Sequence, residues 1–277
     1  MAAEKRWTWS RIMTYFILAV FVIWTVIPIL LVVTNSFKTP LEIKAVPPSI
    51  IFTPTLDNYQ RAWTAGDFGR YFINSAIVAG ATTAISVICG AMGGYALILT
   101  KSRWGRVAGD MMLLGKLVPT ITILIPFYLI LNSAGLFGSW LGPIMAHCSV
   151  NLPFVIWLML GFMRDIPVEI TESAMLDGAR RMQIFWRILI PMLAPAIGSA
   201  LILSMQYSWN ELLFSLQLTT MDFYTLPVGI GKFVGAVSVD WGKSSAAATI
   251  TMMPVIVVGF LMQKYLVSGM TAGAVKG

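Results

Sequence analysis

Charge is scarce in this chain. Asp, Glu, Lys and Arg make up 11% of its 277 residues, about half the share usual in soluble proteins. A soluble domain of this length carries far more charge to keep its surface in water, so a soluble enzyme is excluded. There are two cysteines, Cys89 and Cys148, both in apolar blocks. That excludes a disulfide scaffold and leaves them as small core residues. His147 is the only histidine, and no other His or Cys stands at ligand spacing around it. No metal site is expected, and a hydrogen-bonded packing role is the plainer reading. A Gly-x-x-x-x-Gly-Lys-Ser/Thr phosphate loop is missing as well. This chain therefore does not hydrolyse ATP by itself.

What is present is apolar length. Hydrophobic residues make up 57% of the chain and mean hydropathy is +0.79, the profile of a polytopic membrane protein. The net charge of +7 is scattered between apolar blocks rather than gathered into a basic face, which argues against nucleic acid. Runs long enough to cross roughly 30 Å of hydrocarbon as helices fall at 12–37, 71–100, 111–131, 141–163, 188–210 and 244–263. The third and fourth are separated by turn residues at 132–135 and 138–140. The expectation is an all-α protein with six transmembrane helices. The first run is too long for a signal peptide and lacks a small-residue cleavage site, so it is expected to stay.

Six spans put both termini on one side. Thirteen of the 19 Lys and Arg residues fall on that side and six on the other, while Asp and Glu divide evenly. Positive loops stay inside, so both termini are expected in the cytoplasm. This gives a cytoplasmic N-terminus at 1–11, a membrane domain at 12–263 with a cytoplasmic loop at 164–187, and a cytoplasmic tail at 264–277. Two long outer loops, 38–70 and 211–243, face the opposite side.

The 164–187 loop has helical features. Asp165 is placed to cap a helix whose first turn tolerates Pro167. Glu169 and Glu172 suit its early dipole. Gly178 ends the helix or bends it into a second short one continuing through Phe185. Ile170, Ala174 and Met175 share a side at helical spacing. Composition leaves two readings open, a solvated surface helix or a docking element for a soluble partner.

The pattern itself is more specific. Glu172-Ser173-Ala174-Met175-Leu176-Asp177-Gly178-Ala179, followed by Phe185, Ile188, Pro191 and Pro195, resembles the signature loop of bacterial ABC importer permeases. That family's form is Glu-Ala-Ala, three residues on a Gly, then Ile-x-Leu-Pro. Here Ser173 and Ile190 are the departures. The Asp-Gly-Ala version at 177–179 looks like the carbohydrate-uptake branch, and the tail from Gly269 to Gly277 is similar to the ending of the maltose-type second, shorter permease.

The resemblance implies a type I importer permease fold in a bacterial cytoplasmic membrane and import of a sugar, oligosaccharide or polyol. It implies a second homologous permease subunit, two copies of a cytoplasmic ATPase, and an extracytoplasmic solute-binding protein on the outer loops. ATP and Mg would sit on the ATPase, with no cofactor on this chain. The loop would be a coupling helix. Glu172 would pair with a basic group on the ATPase, and Asp177 belongs to the same motif. Gly178 would allow the turn that enters its cleft, while Ala174 and Ala179 would pack closely. The tail would either reach the ATPase pair or end as a frayed terminus.

Polar residues inside apolar spans need a partner, a cavity or an end position. The candidates for the solute pathway are Asn74, His147, Asn151, Gln206, Trp209, Asn210 and Glu211. The cluster from Gln206 to Glu211 offers amides, a carboxylate and an aromatic face, as sugar sites do. The competing reading is an interfacial aromatic belt with Glu211 reaching water. Asn151 lies one helical turn from His147, so the two are expected to share a polar stripe. Gly90 and Gly94 have the spacing for close helix approach, which alone does not define a dimer face. Alternatives to carbohydrate import are an importer for another small polar solute and an autonomous secondary transporter. The latter calls for paired ionisable residues at mid-membrane, and the charge-free runs hold none. An integral membrane enzyme would need a catalytic cluster, and no such constellation stands out.

Overall fold

The computed structural model describes residues 9–64, 67–99, 103–231 and 239–271, almost all helical and without a β-strand among them. The expected cytoplasmic N-terminus up to residue 8, the tail from 272 onward and Lys232 in the second outer loop lie outside the described residues. Two compact units are formed, one from 1–66 with 232–251 and the other from 67–231 with 252–277.

The first unit begins with α1 (Trp9–Ser36), apolar and exposed along most of its length. The chain after it is organised by local capping. Thr39 caps α2 (Pro40–Ile43), with the Glu42 carboxylate accepting the Thr39 N–H at 2.8 Å. That backbone hydrogen bond, together with one from the Thr39 hydroxyl, holds the Glu42 carboxyl below its usual range. Helix α3 (Asp57–Thr64) buries Asn58, whose amide donates to the carbonyls of Ser36 at 3.0 Å and Lys38 at 2.7 Å. Those bonds satisfy backbone acceptors left over at the end of α1.

The second unit holds α4 (Phe68–Leu99), α5 (Arg103–Leu114), α6 (Thr120–Ser133) and α7 (Leu141–Arg164). Next come α8 (Val168–Leu176), α9 (Arg181–Ile184), a π-helical turn at Phe185–Leu189 and α10 (Ile190–Met192). The series continues with α11 (Ala194–Asn210), α12 (Leu213–Leu218) and α13 (Leu226–Gly231). The last helix, α14 (Trp241–Thr271), has residues in both units.

Helices α4 and α7 pack closely because α4 offers glycines where α7 needs room. A Cβ at Gly90 would lie 2.5 Å from Val155 Cγ1, and one at Gly94 would lie 3.1 Å from the Leu160 nitrogen and Met159 Cβ. The Gly90/Gly94 spacing thus serves an intrachain contact. Around it, Val155, Met159, Phe185, Leu189, Leu193, Ala196 and Ala200 form one buried cluster.

Among the described residues, four helices are long and apolar enough to span a membrane, and two bent pairs bring the number to six when each pair counts as one span. The bends correct two expectations. The third span is not a straight helix over 111–131: its halves, 107–117 and 120–133, meet at 92°. Pro119 explains this, since it has no N–H to continue the helix and pushes Val118 into an extended conformation, φ −72° and ψ 122°. The fifth span is not straight over 188–210 either. Its halves, 181–192 and 194–210, meet at 77°, with Leu193 at φ −84° and ψ 6°. Pro195 cannot donate to the carbonyl of Pro191 four residues back, so the regular ladder stops there. A third correction concerns Asp165, which closes the end of α7 instead of capping α8; Pro167 holds the N-cap position of α8.

Candidate functional site

The 164–187 segment forms a helical hairpin. Glu169 stands in the first turn of α8, and the helix stops at Leu176 with Asp177 at its C-cap. Gly178 follows at φ +83°, in the left-handed region that favours glycine. The Ala179 N–H reaches the Ala174 carbonyl at 2.9 Å and the Gly178 N–H reaches the Met175 carbonyl at 3.0 Å. These are the two bonds of a Schellman cap. A Cβ at Gly178 would meet nothing within 4 Å, so the demand there is conformational and not steric.

The hairpin has a seated side and an open side. Ala174 is buried, and Ala179 packs half-buried against the same cluster as Val155 and Met159. Tyr95, at the end of α4, stacks on Phe185 with ring centroids 5.1 Å apart and donates its hydroxyl to the Arg181 carbonyl at 3.0 Å. Glu172, Asp177 and Gly178 are exposed, and Leu176 is 90% exposed. A cavity of about 500 Å³ beside the hairpin is lined by Tyr95, Met163, Arg164, Thr171, Glu172 and Arg181, among others. Tyr95 was missed by sequence reasoning, because nothing local connects it to a loop some 80 residues away.

The pathway candidates separate into four groups. Asn74 is committed to the connections before α7 and after α12: its amide donates to the carbonyls of Asp222 at 2.9 Å and Tyr224 at 3.0 Å, and its oxygen accepts from Trp140 at 2.9 Å. Trp209 is buried, edge-on to Phe72 at 5.7 Å, and with it lines an apolar cavity of about 530 Å³ that also touches Leu201 and Met205. His147 and Glu211 are brought together with Tyr207 and Ser208, two further members of the Gln206–Glu211 cluster. Ser204, one helical turn before Ser208 on α11, is a buried hydroxyl that sequence reasoning missed.

Glu211 does not simply reach water. Its side chain is 9% exposed and accepts from the backbone N–H groups of Leu213 at 2.8 Å and Phe214 at 3.0 Å, capping α12. His147 Nε2 lies 3.0 Å from Glu211 Oε2, and Nδ1 lies 2.7 Å from Ser208 Oγ. A carboxylate only accepts, so Nε2 donates to Glu211. Asn151, 1% exposed, makes no hydrogen bond through either amide atom, so the expected stripe with His147 is a shared location without a shared bond. Gln206 and Asn210 are exposed and, with Leu203, Tyr207 and Glu211, line an open cavity of about 400 Å³.

Lys116 departs from expectation too. The charge count put it on the inner face, yet its ammonium sits 4.1 Å above the Phe154 ring, near the middle of α7.

Residues 86–272, which hold the hairpin and the polar cluster, match the family of binding-protein-dependent transport system inner membrane components. The chain belongs to that family. This inner membrane component is 33% identical over 260 residues to the trehalose transport system permease protein SugB of Mycobacterium tuberculosis (strain CDC 1551 / Oshkosh), covering 92% of this chain and 93% of that one. It is 28% identical over 256 residues to the melibiose/raffinose/stachyose import permease protein MelC of Bacillus subtilis (strain 168), with 91% of each covered. The fold matches a chain in the crystal structure of a bacterial ABC transporter for the acidic polysaccharide alginate. The TM-score is 0.78 at 22% identity, over 95% of this chain and 99% of that one. The protein is a multi-pass membrane permease component.

Proposed function

We propose that this permease carries a carbohydrate into the cell as one of two homologous membrane chains. In this reading two copies of a separate ATPase, holding ATP and Mg, grip the α8–α9 hairpin, and an extracytoplasmic binding protein delivers the solute. Relatives named for trehalose and for melibiose, raffinose and stachyose support the substrate class. The excess of Lys and Arg on one face supports cytoplasmic termini.

The observation that carries the reading is the two-sided hairpin. Its open side presents Glu172, Leu176 and Asp177 to a partner. Its seated side shares a buried cluster with α4, α7 and α11 through Ala174, Ile184 and Phe185. Force applied to the open side passes to the span-forming helices, because a close-packed cluster moves as a body rather than deforming. Closure of the ATPase pair would thereby reorient the spans between outward and inward access.

The test has two parts. Leu176→Cys, in the assembled complex with Cys89 and Cys148 replaced by serine, is expected to crosslink to the ATPase subunit. Labelling of that cysteine only by solvent-borne reagent, with no crosslink in any nucleotide state, would remove the coupling role. Calorimetry on the co-encoded binding protein is expected to show a sugar ligand, and an amino acid or inorganic ion would overturn the substrate class.

A further inference from the structure

Lys116 sits at the elbow of the broken third span, in the middle of the 3-10 turn at Gly115–Leu117 that precedes Pro119. Helix α5 runs beside α7: a Cβ at Gly109 would lie 2.6 Å from Leu160 Cδ2. Seven residues further along, Lys116 Nζ is 4.1 Å from the Phe154 ring centroid and 5.9 Å from that of Tyr207. Phe154 lies about 20 Å along α7 from Leu141, at about 1.5 Å per residue, and so near mid-membrane.

An ammonium at that depth needs compensation. A lysine side chain reaches about 6 Å, which does not bridge the roughly 15 Å to either aqueous face. Among the described residues Lys116 has no hydrogen bond and no carboxylate partner; its neighbours are the two rings. It is also exposed, as are Gly115, Leu117, Val118 and Pro119 around it. A charged group and non-helical backbone at membrane depth are tolerated where they line a hydrated cavity, not where they face lipid. Tyr207, one of the two rings, is also a wall of the open cavity shared with Gln206 and Asn210.

We propose that Lys116 faces the solute passage and donates hydrogen bonds from its ammonium to oxygen atoms of the passing carbohydrate. The cation–π contacts hold the side chain against Phe154 and Tyr207, and Tyr207 joins it to the wall of that cavity. A hydroxyl of a neutral sugar and a carboxylate of an acidic one offer the same acceptor chemistry. This proposal rests on the carbohydrate reading above.

The test uses the assembled complex in proteoliposomes. In a background with Cys89→Ser and Cys148→Ser, Lys116→Cys is expected to react with the impermeant reagent 2-sulfonatoethyl methanethiosulfonate at least ten-fold faster than Ile125→Cys, on the exposed apolar side of α6. Its rate is expected to change between nucleotide-free and ATP-bound states. Equal, slow labelling of both cysteines in both states, as when a carboxylate of the second permease buries the ammonium, would overturn the proposal. Uptake of trehalose and of digalacturonate is then compared for wild type, Lys116→Gln and Lys116→Arg. A ten-fold or greater loss with Gln, largely recovered with Arg, is expected for whichever sugar is carried. Uptake by Lys116→Gln within two-fold of wild type overturns the solute contact. A wild-type complex that takes up neither sugar counts against the carbohydrate reading, and the labelling, which uses no sugar, still decides where Lys116 faces.

Discussion

His147 and Glu211 form a buried pair in which Nε2 donates to the carboxylate at 3.0 Å, while the same carboxylate caps the helix that begins at Leu213. One side chain thus ties the C-terminal end of α11 to α7 and sets the start of α12. The pair joins three elements through a single carboxylate, so its removal is felt at more than one place.

Glu211→Gln keeps the shape but loses the charge that strengthens the cap and the imidazole bond. Hydrogen bonds to charged groups contribute about 1.5–3 kcal/mol, and Glu211→Ala also strands the α12 donors. A lower thermal midpoint for the detergent-solubilised complex is expected in the order wild type, Gln, Ala. Equal midpoints for all three would show that the cap does not matter.

Gly178 is required for its backbone angle, since a side chain there would have free space. Asn tolerates the left-handed region, whereas a residue such as Val is an outlier there. Gly178→Asn is expected to retain most ATP-driven uptake and Gly178→Val to lose nearly all of it, with membrane content by immunoblot unchanged. Uptake by the Val variant matching that of the Asn variant would contradict the conformational argument.

Tyr95 contributes stacking and one hydrogen bond to the hairpin. Tyr95→Phe removes only the bond, at a cost of about 0.5–1.5 kcal/mol, so uptake within about two-fold of wild type is expected. Tyr95→Ala frees Phe185 from its neighbour. The expected signature is ATP hydrolysis that persists while solute uptake falls, measured side by side in proteoliposomes.

Gly90 leaves no room for a methyl group against Val155, while a Cβ at Gly80 in the same helix would meet nothing within 4 Å. Overpacking of this kind costs about 1–3 kcal/mol. Gly90→Ala is therefore expected to lower the thermal midpoint and Gly80→Ala to leave it unchanged.

Much of this architecture was legible from local pattern. Apolar runs long enough to cross hydrocarbon mark the spans, and the motif from Glu172 to Ala179 marks the hairpin, because its cap is encoded by adjacent residues. The bends were not legible. Pro28, Pro126, Pro153 and Pro254 lie inside continuous helices, whereas Pro119 and Pro195 stand at breaks. Neighbouring helices re-satisfy the freed carbonyl at some prolines and not at others, and a single sequence does not show which. The same limit applies to Asn74 and Trp209, whose partners Asp222 and Phe72 lie more than a hundred residues away. Lys116 was expected on the inner face because its helix was taken to begin there, whereas its ammonium packs on Phe154, in the middle of α7.

The wide turn at Phe185–Leu189 holds one residue more than a regular spiral needs. Tightening it to ordinary pitch would absorb that surplus, rotating whatever precedes it by about 100° and shifting it by about 1.5 Å along the axis. Any movement that removes the wide turn therefore comes in a discrete increment, set by the geometry of a single amino acid.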